Sequence, residues 1–83
     1  MPTVFRRDGY RFFFFSNEGK PREPPHIHVR RGGDEAKFWL SPEVAVADSF
    51  GFNAAELNAL IKMVREERSR LEKAWHGYFS QNG

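Results

Sequence analysis

The apolar residues of this chain recur with two different periods, and the change between them limits the folds open to it. From Thr3 to about Leu40 they alternate with polar residues, whereas beyond Asn53 they return every three or four positions. Period two places alternate side chains on opposite faces of a strand, and a period near 3.6 places them on one face of a helix. A chain patterned in this way is α+β: a small antiparallel sheet of four to five strands packed on one long C-terminal helix. The expected boundaries are a β-rich segment at residues 3–46 and a helix at about 53–77, in a single domain spanning 1–83.

Turn residues divide the first half. Asp8-Gly9 separates Thr3-Val4-Phe5-Arg6-Arg7 from Tyr10 through Phe15, which is the pattern of a tight two-residue hairpin. The run of four phenylalanines then splits by parity. Phe12 and Phe14 fall with Tyr10, and Phe13 and Phe15 fall with Arg11. Ser16 to Pro25 reads as a polar loop and the segment expected to be most mobile. His26 to Arg30 reads as a strand, Arg31-Gly32-Gly33-Asp34 as a turn and Glu35 to Leu40 as the antiparallel partner, with Val44-Ala45-Val46 a short last strand before Gly51. In the helix Leu57, Leu60, Ile61, Val64, Leu71 and Trp75 form the apolar stripe. Asn53 with Glu56 three residues on is a capping-box pair.

A chain of 83 residues buries only about 60% of its unfolded surface, so its core must be dense. Nine Phe, two Trp and two Tyr supply that density, and without cysteine neither a disulfide nor a thiolate metal site exists. There is no apolar run of signal-peptide or membrane-span length, and the expected location is the cytoplasm. A net charge of +2 is too small to argue for nucleic-acid binding, so the distribution of charge has to carry that argument.

The segment Pro24-Pro25-His26-Ile27-His28-Val29 concentrates the chemistry. Alternation sets Ile27 and Val29 toward the core and His26 and His28 toward the other face, where they are expected to be exposed. Exposed residues contribute little packing, so replacing either histidine by Ala is expected to leave the melting temperature nearly unchanged. Arg30, Lys37 and Trp39 share that face, and Arg11, Phe13 and Phe15 join it if the second strand is adjacent. Cations pair with phosphates and flat rings stack on bases, so this mixture is one that single-stranded RNA binding requires. Two imidazoles could also exchange protons with RNA. One would accept the proton of a ribose 2′-OH and the other would protonate the leaving oxygen, while Arg30 or Lys37 met the developing charge. The same surface could instead bury itself against a second copy or a protein partner.

No cofactor is expected. Two histidines on a strand could hold a metal only with a third ligand, and Glu18, Glu23, Glu35 and His76 do so at no familiar spacing. His76 reads as a cation near the helix C-terminus.

The segments MPTVF, GYRFFFFSNEG, EPPHIHV, GGDEAKFWL, FGF and EKAWHGYF together resemble the small prokaryotic domain of unknown function 4160 family over nearly the whole chain. The matching positions are Pro25, His26, His28, Lys37, Trp39, Trp75 and His76, and Lys20-Pro21-Arg22 lengthens the loop. The resemblance implies a second small protein encoded alongside, an arrangement similar to a toxin-antitoxin pair. It attaches no reaction to these residues. Two expectations follow: a toxin-like component acting on RNA through His26, His28 and the face around them, or a non-enzymatic module, antitoxin or adaptor, that binds a partner through the same face.

Overall fold

A computed structural model describes residues 3–15 and 23–79. Five strands, β1 (Thr3–Arg7), β2 (Tyr10–Phe13), β3 (His26–Arg31), β4 (Asp34–Trp39) and β5 (Ala45–Phe50), form one antiparallel meander in the order β1-β2-β3-β4-β5. Two helices follow, α1 (Ala54–Glu66) and α2 (Arg68–Phe79). The chain is therefore α+β, as the change of period requires. Residues 16–22 of the expected mobile loop, Glu18 among them, lie outside the described residues.

Turn chemistry sets the register. Asp8 and Gly9 both take positive φ, 53° and 83°, as the two central residues of a type I′ turn do, and Arg7 faces Tyr10 across it. At the other end of this strand pair β1 carries an irregularity between Thr3 and Phe5, and β5 carries one where Ala47 has no partner on β4. Both edges of the sheet are thus bulged, which twists them away from pairing with another strand. On β5 the Asp48 carboxylate also accepts the Ser49 backbone N–H at 2.9 Å.

One face of the sheet is core. Phe12, Ile27, Val29, Ala36 and Phe38 form a single buried cluster with Leu60 and Val64 of α1 and with Leu71, Trp75 and Phe79 of α2. Phe14 packs edge-on against Trp75, with ring centroids 5.5 Å apart. Leu57 and Ile61, expected to be buried, sit half-exposed at the margin of this cluster. Arginines pin the helices to the sheet on this side. Arg7 reaches Glu66 at 2.8 Å and Glu67 at 3.4 Å, Arg31 pairs with Glu56, and Arg70 lies 4.3 Å over the Phe5 ring. The hydrogen bond that Arg7 donates to Glu66 is the main cause that raises the Arg7 pKa above its usual range, so this clamp stays charged.

Several boundaries differ from expectation: β2 stops at Phe13 instead of Phe15, and β4 spans Asp34–Trp39 instead of Glu35 to Leu40. The sheet runs to Phe50 instead of ending at residue 46, because Ala47 is absorbed as a bulge and pairing resumes at Asp48. The single long helix is two helices. Glu67 leaves helical geometry at φ −100° and ψ 8°, although the Glu67 N–H still reaches the Met63 carbonyl at 3.0 Å and the Leu71 N–H reaches the Glu67 carbonyl at 2.9 Å. Seven residues separate the buried Val64 and Leu71, so the apolar stripe passes through the break in phase, and periodicity alone cannot reveal it. The capping box at Asn53 and Glu56 is present, with hydrogen bonds of 2.8 and 2.9 Å. No described helix is long and apolar enough to cross a membrane.

Candidate functional site on the open face of the sheet

The register carries the opposite face across the sheet as rows of directly opposed residues. One row is Arg6, Arg11, Arg30, Glu35 and Phe50, one from each strand in order. The next is Thr3, Phe13, His28, Lys37 and Asp48, and a third joins His26, Trp39 and Ala45. All eight site residues expected from sequence, Arg11, Phe13, Phe15, His26, His28, Arg30, Lys37 and Trp39, thus gather on or beside β2, β3 and β4.

Their exposure is not as expected. His26 is fully buried and His28 is 6% exposed, so the histidines do not project into solvent. The His26 ring lies 5.7 Å from Trp39, 5.3 Å from His28 and 4.6 Å from Trp75. A carbonyl oxygen can only accept, so Nδ1 carries the proton in its 3.0 Å hydrogen bond to Pro24. The Pro25 carbonyl in turn accepts the Leu40 N–H at 2.9 Å. His28 stacks on Phe13 at 5.5 Å and meets the edge of Phe15 at 4.5 Å. Phe13 is itself fully buried and offers no free ring face, whereas Phe15 and Trp39 are half-buried. Alternation separates Ile27 and Val29, which join the core cluster, from the histidines, but His26 is enclosed by Trp39, His28 and Trp75 of α2 instead of opening to solvent.

Charge on this face is distributed unevenly. Arg30 pairs with Glu35 and Lys37 pairs with Glu23 at 2.8 Å, with the Lys37 Nζ also 4.6 Å from the Trp39 ring centre. The Arg11 guanidinium lies 4.4 Å over Phe13, beside that of Arg30 at 5.4 Å. Its Nε and Nη2 are buried and have no hydrogen-bond partner among the described residues. Neither Arg6 nor Arg11 forms an ion pair among those residues.

Beside these cations, His28, Glu35, Lys37, Asp48, Ser49 and Phe50 help to line an open cleft. Phe50 stands at its rim, 76% exposed. Among the described residues no group of three or more His, Asp or Glu converges as a metal site. Of the third-ligand candidates, Glu35 and Glu23 are engaged by Arg30 and Lys37, and His76 lies in the last turn of α2.

Sequence reasoning missed Arg6, Asp48 and Phe50. For Arg6 a signal was present, because a two-residue hairpin that pairs residue 7 with residue 10 also pairs 6 with 11. For Phe50 the signal was Gly51, a strand-stopping residue five positions beyond Val46.

Comparison with known proteins identifies one family. The model of the family described as "Domain of unknown function (DUF4160)" matches residues 9–76. No curated protein and no solved structure matches the chain.

Proposed function

The chain belongs to the DUF4160 family, and from that premise we propose that it is the RNA-directed component of a toxin-antitoxin-like protein pair, binding RNA on the open face of its sheet. The observation that carries this reading is Arg11. Arg11 is a half-buried cation with no ion pair among the described residues, which is costly to the fold, and a phosphate arriving from solvent at the accessible part of its guanidinium would meet that charge. Phe15, Trp39 and the exposed Phe50 offer rings for unpaired bases. His26 and His28 support the face by packing, and His28 also lines the cleft, so the proposal is one of binding and assigns no cleavage step.

The test is fluorescence anisotropy of a labelled oligouridylate with the purified protein, together with growth on expression in cells. The expected results are salt-sensitive binding that Arg11→Ala weakens, and growth arrest relieved by the small protein encoded alongside. Absence of RNA binding at low salt overturns the reading.

A second reading has its own observation. Phe50, on the rim of a cleft with mixed charges, has the form of an anchor for a protein partner or a second copy. In that case the chain is a non-enzymatic interaction module, and Phe50→Ser abolishes the complex with the neighbouring protein while purified wild-type protein carries no RNA.

A further inference from the structure

Five arginines of β1, β2 and β3 divide by the face they occupy. On the helix side Arg7 and Arg31 each have carboxylates supplied by α1 or the residue after it. On the open side Arg6 faces Arg11 and Arg11 faces Arg30, and only Arg30 has an acidic partner among the described residues. Like charges directly opposed on adjacent strands destabilise a sheet. Here two such pairs stand in succession, in a chain that supplies acids to the arginines that hold its helices.

We infer that Arg6, Arg11 and Arg30 form a phosphate track along which a single RNA strand crosses the sheet perpendicular to its β-strands. The inference rests on the RNA-binding reading and specifies its geometry. Opposed Cα atoms in an antiparallel sheet are about 4.5–5.5 Å apart, so the three cations span roughly 10 Å and meet consecutive phosphates of one strand. Glu35, the next residue in the row and the ion-pair partner of Arg30, adds no further cation, so the track ends there. Phe50, one strand further, presents its exposed ring where an unpaired base would lie. A paired base could not stack there, which selects single-stranded RNA over a duplex. Arg6 is thereby a binding residue.

The experiment measures the salt dependence of binding to a labelled ten-nucleotide oligouridylate between 50 and 200 mM salt. Three phosphate contacts give a log–log slope of about −2, at about −0.7 per contact on single strands. Arg6→Ala is expected to make the slope shallower by about 0.7 and to weaken binding roughly fivefold near 0.1 M salt. Arg6→Lys should restore the slope, and Arg65→Ala, at an exposed position of α1, should match the wild type. The melting temperature of Arg6→Ala should equal or exceed that of the wild type, since a like-charge pair is removed. Wild-type protein that binds no RNA removes the functional reading together with the track. Wild-type binding with an unchanged slope in Arg6→Ala overturns the track alone, as does an equal loss in Arg65→Ala, which marks diffuse attraction.

Discussion

The rings of His26 and Trp75 lie 4.6 Å apart, joining the first residue of β3 to the middle of α2. His26 is therefore a structural residue at the seam between sheet and helix. Its Nδ1–H is committed to the Pro24 carbonyl, and its ring is enclosed by Trp39, His28 and Trp75. Burial at this point reverses the stability expected for an outward-facing histidine.

His26→Ala should lower the unfolding free energy by about 2–4 kcal/mol, combining a cavity with a lost, partly buried hydrogen bond. Urea denaturation followed by tryptophan fluorescence reads the change directly, since Trp39 and Trp75 both border the ring. A loss under about 0.5 kcal/mol would show that the ring is not packed as described.

Leu60→Ala should cost about 2–5 kcal/mol. Leu60 is fully buried in the cluster that joins both helices to the sheet. Leu57→Ala, at the half-exposed margin, should cost distinctly less. Equal losses in chemical denaturation would mean that α1 is rotated from the orientation described here.

Gly51→Ala should destabilise the protein by more than about 1 kcal/mol. Gly51 has φ +93°, a conformation that a Cβ disfavours, and that Cβ would run into the Asp34 carboxylate at the start of β4. Gly33→Ala is the control, because nothing lies within 4 Å of its added Cβ. Thermal melts of the two variants should differ, with the larger drop in Gly51→Ala.

Phe50→Ser should change association more than stability. Phe50 is 76% exposed and stands outside the buried cluster, so the melting temperature should move little. If this ring anchors a second copy, sedimentation equilibrium will show a dimer in the wild type and a monomer in the variant. A variant that unfolds several degrees earlier would place Phe50 in the packing of the monomer.

Much of this organisation was legible in local sequence. Asp8-Gly9 specifies a two-residue turn, and such a turn fixes register, so Arg6 opposite Arg11 follows from the hairpin. Alternation from His26 to Arg30 separates Ile27 and Val29 from the residues of the open face, because successive side chains on a strand must point to opposite sides. Asn53 and Glu56 mark the start of α1 through a capping exchange that involves only three residues of separation.

Tertiary structure alone decided what those faces meet. Burial of His26 depends on Trp75, nearly fifty positions away, and burial of Phe13 depends on Arg11, Phe15, His28 and Arg30 converging from two strands and the segment after β2. The break at Glu67 is likewise invisible to periodicity, since the stripe stays in phase across it while Arg7 of β1 holds the carboxylates of Glu66 and Glu67. Periodicity assigns a residue to a side of its own element, a consequence of backbone geometry. Exposure and partnership are set by the other elements that cover that side, and those are distant in the chain.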